Sequence, residues 1–269
     1  MIDCMKNILI TGALGGMGKA TTTLLKEKGY NVFCLDLCGE KIEGTTFIQT
    51  DLTKMEAIEN AFLEVSKKVD KLDAIIHFGG IYKLNSLVEI EEKDIQKIFD
   101  VNFFGVFRVN KIFLPILSKN AKIIITSSEL APLDPLPFTG LYGITKSALE
   151  KYAFSLRMEL QLLGKQVVVL RPGAVNTNLL GASQTEIQNF CKNTKLYKYN
   201  SKKFMEITQK VETKSIGTDK IAKLVFKILN KKKPKYIYNI NRNFGLKLLN
   251  TLPKRWQTGI VKNILKEKK

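Results

Sequence analysis

The chain has 269 residues, 45% apolar and 25% charged, which suits a soluble α/β core, and no apolar run reaches the roughly 18–20 residues of a membrane-spanning helix. One histidine and four cysteines (Cys4, Cys34, Cys38, Cys191) without a C-x-x-C spacing argue against a zinc site or a disulfide framework. The net charge of +18 is lopsided: residues 1–180 hold 21 Lys and Arg against 20 Asp and Glu, while residues 181–269 hold 22 against 5.

In chain order, "KNILIT" predicts a strand, followed by helical spacing over 16–28 (Met17, Ala20, Leu24, Leu25). The N-terminus enters that strand with no basic segment and apolar run ahead of it, so a cytoplasmic protein is expected. "YNVFCLD" and "TTFIQTD" predict the second and third strands, and Ile58, Phe62 and Val65 a helix over 54–68. "LDAIIHF" reads as a buried strand and 91–118 as one long helix ending near Pro115. "AKIIITSS", a helix over 141–163 and "QVVVLRPG" complete the regular part. Strands apolar nearly throughout, each separated by a helix, imply a parallel sheet covered on both faces. Right-handed crossovers then give a doubly wound, Rossmann-type single domain over 1–240.

"TGALGGMG" lies between the first strand and helix, with Gly12, Gly16 and Gly18 spaced for a tight turn. Glycine lets backbone N–H groups approach a pyrophosphate at the helix N-terminus, so dinucleotide binding is expected. Asp36 ends the second strand, where a carboxylate accepts hydrogen bonds from both ribose hydroxyls of NAD and repels a 2′-phosphate; NAD is expected over NADP. Asp51 in "TDLT" reads either as capping the adenine side or as an acid at a helix start.

In "GLYGITKSALEKYAF", Tyr142 and Lys146 stand one helical turn apart. The same spacing recurs at Tyr199 and Lys203, but with no strand ending in serine ahead of it. A phenol of pKa about 10 is a poor base near neutrality, and a neighbouring ammonium together with the nicotinamide cation would favour the phenolate and lower that value. Together "TGALGGMG", "TDL", "VNFFGVF", "TSS", "YGITK" and "RPGAVNT" occur in an order that resembles the short-chain dehydrogenase/reductase family, in particular its hydroxysteroid and retinol dehydrogenase-like members, over roughly residues 6–240. The resemblance implies an NAD(P)-dependent enzyme without metal, in which Asn102, Ser128, Tyr142 and Lys146 act together. It implies that Tyr142 carries the proton, Ser128 binds the substrate oxygen, Lys146 also bonds the nicotinamide ribose, and Asn102 holds a water leading to solvent. It further implies cofactor contacts at Met17, Leu52, Gly79, Pro172, Gly173, Val175 and Thr177. Two departures stand out: Ser128 lies 14 residues before Tyr142, one more than usual, which keeps Ser127 a candidate, and Phe78 replaces a strand-steadying asparagine. His77 is expected inside the sheet.

Residues 180–216 read as a mostly helical insert, which the resemblance implies closes over the substrate; Leu179, Leu180, Ile187, Phe190, Tyr197, Phe204 and Met205 could wall a lipophilic pocket or simply pack a helix on the sheet. The tail, 241–269, reads as a basic amphipathic helical extension interrupted at Pro253. Its apolar residues include Phe244, Leu248, Leu249, Leu252, Trp256, Ile260, Val261, Ile264 and Leu265, flanked by Lys254, Arg255, Lys262, Lys266, Lys268 and Lys269. Such a helix can lie on an anionic membrane surface, dock on the protein's own core or cover a subunit interface. Nucleic-acid binding is not expected, since no recognised motif accompanies the charge. The expected activity is interconversion of a lipophilic secondary alcohol and ketone, steroid-, retinoid- or acyl-like, by a homo-oligomer. The rivals are a dinucleotide-binding regulator without turnover and a 3-oxoacyl-type reductase recruited to lipid.

Overall fold

The computed structural model describes residues 6–267; the side chains of 178–183, 211 and 212 are not among those described. Cys4, Lys268 and Lys269, and the side chains of Leu179 and Leu180, therefore lie outside the described part. Seven strands, β1 (Asn7–Thr11), β2 (Asn31–Asp36), β3 (Thr46–Gln49), β4 (Leu72–His77), β5 (Leu117–Thr126), β6 (Gln166–Pro172) and β7 (Ile237–Ile240), form one parallel sheet in the order β3-β2-β1-β4-β5-β6-β7.

Because β1, β2, β4, β5 and β6 carry apolar residues on both faces, both must be covered. On one side Leu9, Phe33, Ile75, Ile123 and Val169 pack under α2 (Met55–Ser66), α4 (Gly105–Phe113) and α5 (Gly140–Leu160). On the other, Ile8, Ile10, Val32, Ile76 and Val168 pack under α1 (Gly16–Glu27) and α8 (Thr218–Leu229). The strand order reverses between β1 and β4, so their carboxyl ends part to leave a crevice.

The helix expected over 91–118 is divided. α3 (Glu92–Phe99) runs into a π turn at Asp100–Phe104, and α4 then tightens into a 3₁₀ turn at Leu114–Ile116. β5 starts at Leu117, ahead of the expected "AKIIITSS", with a register irregularity opposite Leu72 and Ala74. The sequence reading assigned no element to α8 or β7; β7 closes the sheet edge beside β6.

A third cluster lies above the sheet. α6 (Asn178–Asn193) and α7 (Lys198–Glu212) supply Ile187, Phe190 and Phe204, while the loop after β5 supplies Phe138. Phe138 holds φ +67 and is ringed by Phe190, Tyr197 and Phe204 at centroid distances of 4.8, 5.3 and 5.5 Å. The tail completes this cluster. α9 (Phe244–Thr251) and α10 (Lys254–Leu265) fold back over the molecule, and Val261 and Leu265 join the packed residues. Polar ties fix the tail: Asn243 N–H donates to Glu129 Oε2 (2.6 Å), Asp134 N–H to Asn250 Oδ1 (2.7 Å), and Asn200 Nδ2 to Leu265 O (2.8 Å). Lys254 also pairs with Asp134. Of the readings left open for the tail, docking on the protein's own core describes its Val261/Leu265 face, whereas Trp256, Ile260 and Ile264 stay exposed.

His77 is inside the sheet, as expected. It is 2% exposed, its Nε2 lies 2.9 Å from Asn110 Oδ1 on α4, and its Nδ1 lies 3.5 Å from Thr11 Oγ1. Burial holds its pKa down to about 4, against the Asn110 hydrogen bond that favours the charged form, and the nearby Lys146 charge lowers it further. The unfolded chain thus takes up a proton between pH ~6.5 and ~4 that the folded chain refuses, and stability falls as pH drops through that window. We expect urea unfolding to show wild type losing about 2–3 kcal/mol more than His77→Gln between pH ~7 and pH ~4. Parallel losses in the two proteins would mean that His77 is not held neutral.

Candidate active site

The glycine loop sits where β1 ends and α1 begins. Gly12 has φ +65, and a Cβ there would stand 2.5 Å from Gly79 N; a Cβ at Gly18 would stand 1.9 Å from Gly12 O. Both positions exclude any larger residue, so the loop stays pressed against the exit of β4. Gly16 faces Thr177, whose Cβ would lie 2.7 Å from an added Cβ. Gly15 caps α1 without a side-chain bond, leaving the first-turn N–H groups directed at the crevice. This cradle fits the phosphates of a dinucleotide.

Asp36 is fixed at the end of β2: its Oδ2 accepts from Leu14 N–H and its Oδ1 from Leu37 N–H, both at 2.8 Å. Each carboxylate oxygen retains a lone pair for a further donor. Asp51 Oδ1 accepts from Thr53 N–H (2.9 Å) and Thr53 Oγ1 (2.7 Å), a turn ahead of α2 that matches its helix-start reading. Leu52 packs on Gly79, its Cδ1 2.7 Å from a hypothetical Cβ there.

The other predicted residues converge at the carboxyl ends of β4, β5 and β6. Met17, Ser128, Tyr142, Lys146, Pro172, Gly173, Val175 and Thr177 line one cavity of about 250 Å³, with Phe78, Leu136, Phe204 and Leu246 among its apolar walls. α5 presents Tyr142 and Lys146 from its first turns, and Lys146 Nζ donates to Thr126 O at 3.0 Å. Ser128 stands beside Tyr142 and favours its ionised form, while Ser127 Oγ turns away and donates to Glu150 Oε1 at 2.7 Å. The extra loop residue therefore leaves Ser128, not Ser127, beside the phenol.

Asn102 occupies the π turn and is fully buried. Its Oδ1 accepts from Ile81 N–H (2.8 Å), and its Nδ2 donates to Ile81 O (3.0 Å) and Thr145 Oγ1 (3.3 Å). A Cβ on Gly80 would lie 3.2 Å from Asn102 Oδ1 and 3.7 Å from Lys146 Nζ, so that glycine is the gap through which the two face each other. Phe78 stands in the cavity wall, and Thr11 bridges the strands, its Oγ1 accepting from Gly79 N–H at 3.4 Å.

The expectation that Lys146 lowers the Tyr142 pKa does not hold for the protein alone. Desolvation pushes Tyr142 up to about 12, opposed by the Ser128 hydrogen bond, and burial brings Lys146 down to about 8, opposed by Glu150. The ammonium lies 5.7 Å from the Tyr142 ring centroid, and loss of water outweighs attraction at that range. The sequence reading also missed Glu150. It stands one turn beyond Lys146, is held by Arg171 through Nε (2.7 Å) and Nη2 (2.5 Å), and binds Ser127. Its signal was the i, i+4, i+8 spacing of Tyr142, Lys146 and Glu150. Among the described residues, no group of three or more His, Cys, Asp and Glu could hold a metal ion.

The family model for short chain dehydrogenase matches residues 6–188. The probable short-chain type dehydrogenase/reductase VdlC of Helicobacter pylori is 28% identical over 265 residues, covering 96% of this chain and 97% of that protein. Estradiol 17-beta-dehydrogenase 2 of Mus musculus is 34% identical over 193 residues, which cover 66% of this chain and only 50% of the mouse protein. Among solved structures, a short chain dehydrogenase family protein from Francisella tularensis superposes with a TM-score of 0.73 at 27% identity, covering 88% of this chain and 97% of that one. Since the family match runs from β1 into α6, across the glycine loop and the Tyr142 helix, the chain belongs to the short-chain dehydrogenase family of NAD(P)-dependent oxidoreductases.

Proposed function

We propose that the protein interconverts a lipophilic secondary alcohol and its ketone with NAD(H), using Tyr142, Ser128, Lys146 and Asn102. The observation that carries this reading is the convergence of Ser128, Tyr142 and Lys146 with Met17 and Thr177 on one cavity with apolar walls. When bound, the dinucleotide supplies the hydride acceptor or donor. Tyr142, kept neutral by desolvation, donates its proton to a carbonyl oxygen; in the reverse direction it must first lose that proton, and the phenolate then takes the alcohol's. Ser128, beside the phenol, donates its hydroxyl proton in a hydrogen bond to the same substrate oxygen as charge builds on it. Lys146, with a pKa of about 8, exchanges protons near neutrality and stands ready to bond a ribose hydroxyl. Asn102 braces Gly80 and Ile81 against Lys146 and keeps that passage open.

Asp36 supports NAD over NADP. Its oriented carboxylate is free to accept from ribose hydroxyls, and a 2′-phosphate at that point would meet a like charge. Gly12, Gly16, Gly18 and Gly79 would bring backbone against the pyrophosphate, with Asp51 and Leu52 toward the adenine and Pro172, Gly173, Val175 and Thr177 along the nicotinamide. Two exposed surfaces support assembly. Phe104, Phe107, Phe154 and Met158 are exposed on the π turn, α4 and α5, which suits packing against a second copy of the chain. Trp256, Ile260 and Ile264, with Arg255 beside them, suit an anionic membrane surface.

The decisive experiment is kinetic. With a panel of lipophilic ketones and NADH, Tyr142→Phe should lower kcat about 100- to 10,000-fold while NADH still binds. Ser128→Ala should lose far more than Ser127→Ala. Unchanged turnover in Tyr142→Phe would return the non-catalytic regulator to the front. In a fluorescence titration NADH should bind at least about tenfold tighter than NADPH, and Asp36→Ala should weaken NADH about 10- to 100-fold; equal affinities for the two would sink the cofactor assignment. For assembly, sedimentation velocity should show a species larger than the monomer that Phe154→Arg dissociates, and anionic vesicles should pellet wild type but not Trp256→Glu. A monomer that ignores vesicles would remove both surfaces from the account.

A further inference from the structure

A second cavity, about 750 Å³ and three times the volume of the catalytic one, lies between the loop after β5 and the tail. Leu87, Val88, Leu133, Leu249, Val261 and Leu265 form its aliphatic walls. The two cavities share Leu130, Leu136 and Leu246 in their linings, so they adjoin at these leucines. Small-molecule sites run to roughly 300–1,000 Å³. The catalytic cavity falls below that range, so it holds the reacting end of a substrate and little more, whereas its neighbour falls well inside it.

The rim carries charge of one sign. Lys254, Lys262 and Lys266 border the cavity, and Asp134, the one carboxylate in its lining, is taken by Lys254. Among the described residues, no acidic side chain pairs with Lys262 or Lys266, one turn apart on the exposed edge of α10 and its end. A ligand that uses both cavities must place its carbinol or carbonyl carbon beside Tyr142, pass three leucines, fill an aliphatic space and end near two unpaired ammonium groups.

We infer that the tail-built cavity is a binding site for the chain and acidic head of an anionic single-chain lipid, such as a long-chain hydroxy or oxo acid whose reacting carbon is remote from its acid group. This rests on the catalytic reading above for the reacting end; the chain site itself stands on the cavity and its lysines. The wall and the exposed stripe are different faces of α10. Val261 and Leu265 line the cavity while Trp256, Ile260 and Ile264 point away from it, so a lipid in the cavity and a membrane under the helix are separable.

Calorimetric titration of the full chain, with and without NADH, tests the site using octanoate, dodecanoate and palmitate as monomers and hexadecanol as the neutral counterpart. Palmitate should bind once per chain and at least about tenfold tighter than octanoate, because each added methylene leaves water for aliphatic walls. Val261→Trp or Leu249→Trp, either of which fills the space, should weaken palmitate at least tenfold while NADH affinity is unchanged. Lys262→Glu with Lys266→Glu, both on exposed positions that folding tolerates, should weaken palmitate about tenfold and leave hexadecanol alone. The site is overturned if palmitate binds no better than octanoate, if folded filling variants bind palmitate as wild type does, or if lipid binds only as anionic vesicles and is lost in Trp256→Glu. Failure to bind NADH alongside intact palmitate binding would instead unseat the oxidoreductase reading and leave this site standing.

Discussion

The structure depends on one constraint: the central strands have no polar face. Ile8, Leu9 and Ile10 in β1, and Val167, Val168, Val169 and Leu170 in β6, are wholly buried on both sides of the sheet. Such strands cannot form a hairpin with one wet face, so they run parallel, with helices between all consecutive strands but β2 and β3. Covering both faces with helices leaves only the strand ends open. The amino ends receive returning helices, and the carboxyl ends of β1, β4, β5 and β6 are where Gly12, Gly79, Ser128 and Gly173 emerge. The location of the active site is thus a consequence of hydrophobic burial before any catalytic residue is considered.

That frame also explains which parts of the protein were legible in its sequence. Strands with an unbroken apolar run announce themselves, as β1, β2, β4 and β6 did. β7 did not, because an edge strand half open to solvent has no such run, and "YIYNI" mixes polar and apolar positions. The π turn was hidden for the opposite reason: apolar spacing runs through Phe99, Phe103 and Val106 without a break, and a single extra residue per turn leaves no compositional mark. The grouping of Tyr142, Lys146, Ser128 and Asn102 was legible from order and spacing, yet the raised Tyr142 pKa of the protein alone was not. Spacing reports that two side chains are neighbours and says nothing of how much water each has lost.

The tail shows a similar limit. Trp256, Ile260 and Ile264 make one stripe on α10, and Val261 and Leu265 make an adjoining one. A helical wheel gives both, and the larger residues on the first make it the stronger candidate for burial. The structure buries the second instead, since the space above Phe138, Phe190 and Phe204 has room for Val and Leu, and the anchors at Glu129, Asp134 and Asn200 fix the rotation of the tail. A side-chain stripe is buried when a shaped partner exists for it, and that partner comes from residues far earlier in the chain.

The loop from Ser128 to Gly140 is where these layers meet. Its first residue touches the Tyr142 phenol, Glu129 and Asp134 hold the tail, and Ser147 on α5 donates to Ala131 O at 2.7 Å. Phe138, in a backbone region that non-glycine residues seldom occupy, is kept there by three aromatic neighbours from α6, the following loop and α7. Strain of that kind, on the order of 1–3 kcal/mol, persists only where surrounding contacts over-determine it. Whatever moves the insert or the tail must therefore disturb the ring cluster around Phe138, and with it the loop that delivers Ser128 and Leu136. The insert helices, the tail and the loop ahead of Tyr142 thus meet at Phe138, Glu129 and Asp134.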